Sequence, residues 1–259
     1  MIVNLKDTFN NVVTMYDAAR PTYPLELLND IKDFAEKSFF TRGLEIGAGT
    51  GQATDLFIKV INDLDIVEVG DKQVDYLMGK YKSENVNTYK ACFEDFKSNK
   101  KYDLIFSATA FHWVDATVGY PKVWDMLNDS GVLAVFWHMS SVTLHDTGIF
   151  VGLNEIKKKY LPEESLGFDK EGIEGVRQKR ISQIQSGNYF GIPVIKEYRW
   201  IDTYDADRYS LLLESYSSTQ TLDEEHKKLY LSEVRDYINS NGGVVEMPQH
   251  VMLYLVKKE

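Results

Sequence analysis

The run Leu44-Glu45-Ile46-Gly47-Ala48-Gly49-Thr50-Gly51 constrains this chain more than any other stretch. Leu44 and Ile46 form a short apolar run that stops at glycines, the pattern of a strand ending in a turn. Ala53, Leu56, Phe57 and Val60 follow at helical spacing, which predicts a helix over 51–61. Glycine tolerates positive φ and lets backbone approach a ligand closely. A glycine loop between a first strand and a helix lies where an open α/β sheet binds its ligand.

The rest of the first half repeats this rhythm. Residues 63–70 read as a second strand. Residues 72–83 read as a helix with Val74, Leu77, Met78 and Tyr81 on one face. A short third strand lies within 86–96. Residues 101–110 form a strong apolar strand bounded by charge and by small residues. Residues 119–131 read as a helix stopped by Gly131, and 132–138 as a buried strand. Such an order predicts a doubly wound, mostly parallel seven-stranded sheet, an α/β fold of Rossmann-like type. From Met139 to about Asn188 the strand rhythm is lost, and helices are expected around 150–161 and 173–186. A last unit offers a strand at 194–204, helices at 206–217 and 222–241, a turn at Asn241-Gly242-Gly243 and a strand at 249–258. The expected organisation is a single domain over 1–259. Within it, 1–138 is a ligand-binding half, 139–190 a helical lid insertion over the site, and 191–259 the part that completes the sheet.

The glycines follow GxGxG spacing, not the GxGxxG of dinucleotide folds, and Glu45 precedes them. Glu68 ends the second strand, where a carboxylate can accept both ribose hydroxyls of a nucleoside. A tight turn and a solvated glutamate would give the same letters; loop, strand context and carboxylate together favour a nucleoside.

On these residues the chain resembles a class I S-adenosylmethionine-dependent methyltransferase. LEIGAGTGQAT is similar to that family's first motif and VEVGDKQVDYL to its second. ACFEDF and YDLIFSATAFHWVD resemble the stretches that close over the adenine and the methyl group. LNDSGVLAVFWH resembles the strand-five region, with Ser130-Gly131 in place of the usual glycine pair. The opening YDAARPTYP resembles the signature of the trans-aconitate-methyltransferase-like subgroup of small-molecule methyltransferases.

The resemblance implies roles residue by residue. Glu45 would bind the methionine ammonium, directly or through water. The backbone of Gly47, Ala48, Gly49 and Gly51 would line the cofactor. Glu68 would hold the ribose and Val69 would pack on the adenine. Phe93 and Glu94 would meet the adenine, while Ser107 and Ala108 would border the methionine part. The family often has an aspartate where Cys92 stands; a thiol is a poor acceptor, so Glu94 or a backbone carbonyl must replace it or the contact is lost. The methionine carboxylate needs a cation, and Arg20 suits it because arginine grips carboxylates bidentately. Tyr16, four residues earlier, shares its face if that segment is helical. Arg20 could equally be a surface ion-pair partner.

His112 and Trp113 stand at the end of the fourth strand, on the rim where ligands bind. His112 could act as a general base, line the acceptor pocket with Trp113, or only fix the loop. A base is needed only if the acceptor atom must lose a proton. Arg177 and Arg180, three apart, could point together from the insertion toward an anionic acceptor, although such clusters usually face solvent. Tyr216 could also reach the acceptor, or be core.

Composition sets the remaining limits. Net charge is −10 across 259 residues, which argues against a nucleic-acid partner. The histidines show no zinc spacing, and no metal is expected. One cysteine forbids an intramolecular disulfide, and with neither a signal peptide nor a membrane-length apolar run the expected location is cytoplasmic. The expected function is methyl transfer from S-adenosylmethionine to a small-molecule acceptor, with S-adenosylhomocysteine as product and O- or carboxylate-methylation favoured. One alternative is a regulatory domain that binds these ligands without turnover. Another is a nicotinamide-dependent oxidoreductase, against which the glycine spacing and Glu45 speak. Oligomeric state stays open.

Overall fold

A computed structural model describes residues 20–82, 84–139, 148–162, 172–216 and 218–259. Seven strands form one sheet in the order β3-β2-β1-β4-β5-β7-β6. They are β1 (Phe40–Ile46), β2 (Ile61–Glu68), β3 (Val86–Lys90), β4 (Tyr102–Ala108), β5 (Leu127–His138), β6 (Val194–Asp205) and β7 (Val244–Lys257). Strands β1 to β5 pair in parallel, and β7 runs antiparallel to β5. The chain winds outward from β1 to β3, then restarts at β4 beside β1. That reversal opens a crevice at the carboxyl ends of β1 and β4. Strand β4 is buried along nearly its whole length because a central parallel strand is covered on both faces.

The described helices are α1 (Leu25–Ala35), α2 (Thr54–Phe57), α3 (Asp71–Lys80), α4 (Ala116–Met126), α5 (Ile149–Tyr160), α6 (Gly172–Gln185), α7 (Ala206–Glu214) and α8 (Glu224–Ser240). None is long and apolar enough to cross a membrane. Helix α1 was not expected from the sequence, yet Leu27, Leu28, Ile31 and Ala35 are buried at helical spacing. It ends where Glu36 turns left-handed (φ 56°) and Lys37 N–H reaches back to the Lys32 carbonyl at 3.0 Å.

Two boundaries differ from expectation. The helix after the glycine loop is only Thr54–Phe57, because the chain must enter β2 at Ile61. Helix α4 ends at Met126 rather than at Gly131. The Trp124 carbonyl in its last turn and the Leu127 carbonyl just past it are taken by Lys258 Nζ at 2.8 and 3.1 Å, and Leu127 already pairs with Tyr102. Gly131 then lets backbones converge: a Cβ there would sit 2.8 Å from the Asn128 carbonyl and 3.0 Å from that of Tyr102. On α3, Val74, Leu77 and Tyr81 are buried as expected, but Met78 is exposed.

The chain divides into two compact units. One comprises Met1–Pro21, Ser140–Gly172 and Arg199–His250. Its core joins Leu153 and Ile156 of α5 to Tyr204, Leu212, Tyr230, Val234 and Ile238. The other comprises Thr22–Met139, Ile173–Tyr198 and Val251–Glu259, and holds the parallel strands and the glycine loop. Helix α5 belongs to the first and nearly all of α6 to the second.

Candidate functional site

The glycine loop leaves β1 in a conformation that side chains resist. Gly47, Gly49 and Gly51 all have positive φ (71°, 61° and 94°). A Cβ on Gly47 would lie 2.5 Å from the Ala110 Cβ, and one on Gly51 would lie 2.3 Å from the Tyr81 hydroxyl. At Gly49 nothing stands within 4 Å of that direction, so its backbone faces open space.

Glu45 lies fully buried at the end of β1. Its Oε2 accepts from Thr54 Oγ1 at 2.6 Å, while Oε1 is buried with no hydrogen-bond partner. Burial pushes its carboxyl up to about 8, against the pull of the Thr54 hydrogen bond and with help from the Glu68 and Asp55 charges. An orphaned buried carboxylate oxygen beneath a glycine loop is a socket for a cation.

Glu68, also buried, ties the second strand to the loop. Its Oε2 accepts from Gly49 N–H at 2.9 Å, and its Oε1 from Val69 and Gly70 N–H at 2.8 and 2.9 Å. Each carboxylate oxygen accepts about two hydrogen bonds, so Oε2 keeps room for one more. Val69 beside it is exposed and Phe93 is buried against Phe111 (centroids 6.4 Å apart). Glu94 Oε1 accepts from Asp115 N–H at 3.1 Å, and Asp115 caps α4. Ser107 Oγ donates to the Ile46 carbonyl at 2.7 Å and joins β4 to β1; Ala108 follows at the strand end.

His112 and Trp113 sit in a single 3-10 turn, Phe111–Trp113, just past β4. Trp137 Nε1 donates to His112 Nδ1 at 3.1 Å. Desolvation first, then the Arg180 charge, push the imidazole down to about 4. The residue keeps part of its surface in water, which screens this effect, but its direction makes the ring neutral at pH 7. Arg180 stacks on the Trp137 ring at 4.3 Å, whereas Arg177 turns to Glu197 (3.6 Å) and Glu174 (3.9 Å).

The structure thus places Glu45, Gly47, Ala48, Gly49, Gly51, Glu68, Val69, Phe93, Glu94, Ser107, Ala108, His112 and Trp113 at or just past the carboxyl ends of β1, β2, β3 and β4. Arg20 and Tyr216 lie in the other unit, where the guanidinium donates to Ser215 Oγ at 3.0 Å and stands 4.5 Å over the Tyr216 ring. Tyr16 lies outside the described residues. Four site residues escaped sequence reasoning. Thr109 is a β-branched residue at φ 54°, a strained conformation that marks the loop after β4; its Oγ1 meets Tyr23 Oη at 3.0 Å. Thr54 serves Glu45. Trp137 and Lys122 have no motif to announce them. The Lys122 ammonium donates to the carbonyls of Phe93 (2.7 Å), Glu94 (2.9 Å) and Phe96, and burial lowers its pKa. Among the described residues no cluster of three metal-ligating side chains occurs.

Comparison with known proteins agrees with this geometry. Residues 44–135 match the family profile described as a methyltransferase domain. An uncharacterized methyltransferase-like protein of Schizosaccharomyces pombe is 29% identical over 146 residues, 55% of each chain. The yeast protein named "Probable S-adenosylmethionine-dependent methyltransferase CRG1" (Saccharomyces cerevisiae) is 30% identical over 131 residues, 47% of this chain and 43% of its own. The chain spans about half the length of the curated relatives it matches. A candidate type II methyltransferase from Anaeromyxobacter dehalogenans superposes with a TM-score of 0.64 at 17% identity, covering 92% of this chain and 96% of its own. A Haemonchus contortus phosphoethanolamine N-methyltransferase, solved with S-adenosylhomocysteine, superposes with a TM-score of 0.53 at 12% identity, covering 99% of this chain and 60% of its own. At these identities the structures show the fold alone. The sheet order and the glycine loop agree with that match, and residues 44–135 are similar to a methyltransferase domain.

Proposed function

We propose that this protein transfers a methyl group from S-adenosylmethionine to an oxygen of a small-molecule acceptor, as a cytoplasmic enzyme. The observation that carries the reading is the buried, unpartnered Glu45 Oε1 beneath the positive-φ glycine loop. It fits the ammonium of the cofactor's methionine part. The side-chain direction at Gly49 is open, and Glu68 Oε2, which already accepts from Gly49 N–H, has one acceptor position left for a ribose hydroxyl. Val69, exposed beside it, offers an apolar face to the adenine, and the Phe93–Glu94 segment closes the other side.

When bound, the cofactor supplies an electrophilic methyl carbon on a sulfonium. The chain's task is to align an acceptor with that carbon and to exclude water. Ala108 and the Thr109 turn border the methionine part, and His112 with Trp113 walls the acceptor. Among the relatives, the malonyl-[acyl-carrier protein] O-methyltransferase of Ilyobacter polytropus is 30% identical over 95 residues, 35% of each chain, which favours oxygen as the acceptor atom. The test is incubation with methyl-labelled S-adenosylmethionine and a panel of carboxylic acids, phenols and amines. Label transfer to an oxygen acceptor supports the reading. Tight binding with no transfer to any class supports a ligand-sensing domain instead.

A further inference from the structure

His112 stands two residues after Ala110, which packs against Gly47 of the cofactor loop. The turn that carries it is therefore fixed beside the place where methyl transfer would occur. Trp137 Nε1 is a donor and nothing else, and it points at His112 Nδ1 from 3.1 Å. A neutral imidazole has one N–H and one lone pair. With Nδ1 accepting, the proton must sit on Nε2. That nitrogen has no protein partner among the described residues, and His112 is exposed.

We propose that His112 is a hydrogen-bond donor to the methyl acceptor through Nε2–H, locked in that tautomer by Trp137, and that the acceptor is therefore an oxyanion, a carboxylate, rather than a hydroxyl or an amine. The proposal rests on the methyltransferase reading above and narrows its substrate class. A histidine held this way has no free lone pair with which to take a proton. It can orient an acceptor that arrives already deprotonated. A carboxylate oxygen then forms the new C–O bond as the C–S bond breaks, with the bonding pair going to sulfur. The products are an ester and a neutral thioether, and no proton has to leave.

The surroundings keep the lock in place. Arg180, on α6, stacks over Trp137 at 4.3 Å and holds the indole while its charge opposes an imidazolium. Tyr254, on β7, meets the Trp137 ring edge-on at 5.7 Å. The Trp113 ring lies 5.0 Å from His112. Among the described residues no carboxylate is hydrogen-bonded to the ring. Trp137 is thus a positioning residue.

The tautomer can be read directly in the whole protein, by nitrogen-15 NMR with and without S-adenosylhomocysteine. The His112 signals are assigned from their loss in His112→Gln. The expected result is the Nε2–H tautomer at pH 7, with mixed tautomers in Trp137→Phe. An Nδ1–H tautomer or an imidazolium at pH 7 overturns the proposal. Turnover with methyl-labelled S-adenosylmethionine and a panel of dicarboxylates and phenols gives the second arm. His112→Gln, which keeps a donor at similar reach, should retain at least a tenth of kcat on a carboxylate. His112→Ala should lose more than a hundredfold, with KM for S-adenosylmethionine unchanged. Equal loss in both variants, or turnover of phenols alone, refutes donation to an oxyanion. Failure to bind S-adenosylhomocysteine would sink the methyltransferase reading separately, since the tautomer can be read without it.

Discussion

Thr54 Oγ1 donates to Glu45 Oε2 at 2.6 Å and leaves Glu45 Oε1 buried without a partner. The pair sits beneath the glycine loop, with Thr54 opening the short helix that follows it. Half of the carboxylate is satisfied by the fold and half is held for something else.

That arrangement makes stability depend on pH. Glu45 has a folded pKa of about 8 against an ordinary 4.5, so the folded state binds the extra proton between those values. Its contribution is full below 4.5 and declines as the pH rises through 8. The ligand-free protein should lose on the order of 3–5 kcal/mol from this group across that window. Glu45→Gln should flatten the profile and be the more stable protein at pH 8. Urea melts of both proteins from pH 5 to 8.5 measure this; parallel profiles would mean that Glu45 is already ionised.

Lys122 holds the loop that bears Phe93 and Glu94. Replacing it with methionine keeps the apolar stem and strands three carbonyls. We expect a stability loss of about 1–3 kcal/mol. Affinity for S-adenosylhomocysteine should fall roughly tenfold, equivalent to ~1.4 kcal/mol. Thermal melts with calorimetry separate the two effects. Unchanged affinity in a folded variant would remove Lys122 from the site.

Gly51 and Tyr81 form a steric pair. An alanine at 51 would meet the tyrosine hydroxyl and would also have to hold φ 94°. Gly51→Ala should cost on the order of 2–4 kcal/mol, part clash and part backbone. In a Tyr81→Phe background the shortest contact is gone, and what remains is the backbone part and ring carbons 3.1 Å away. A double-mutant cycle should therefore show coupling of about 1 kcal/mol or more. Additive effects would mean that the loop simply shifts.

Much of this was legible in the sequence where one residue type answers to one physical demand. The LEIGAGTG run gave the strand and the turn because positive φ and close approach leave glycine little competition. Boundaries were less legible. Val60 continues a helical pattern, but the need to enter β2 at Ile61 cuts the helix at Phe57. Gly131 looks like a helix stop, yet its smallness serves backbone convergence at the start of β5. Partners distant in sequence were not legible at all. Trp137 reads as one more apolar residue of a buried strand, and only the fold turns its N–H toward His112. Arg177 and Arg180 are equivalent as letters; packing sends one to Glu197 and the other onto Trp137.

The central claim is that the Glu45 socket receives the ammonium of S-adenosylmethionine or its product. Calorimetry of S-adenosylhomocysteine binding at pH 7, repeated in buffers of differing ionisation enthalpy, tests it most directly. A group with a pKa of about 8 is ~0.9 protonated at pH 7 and should surrender that proton to a bound cation. The account predicts one-to-one binding with release of close to one proton, and near-zero release in Glu45→Gln. No binding of S-adenosylhomocysteine, or a preference for NADH, would contradict it.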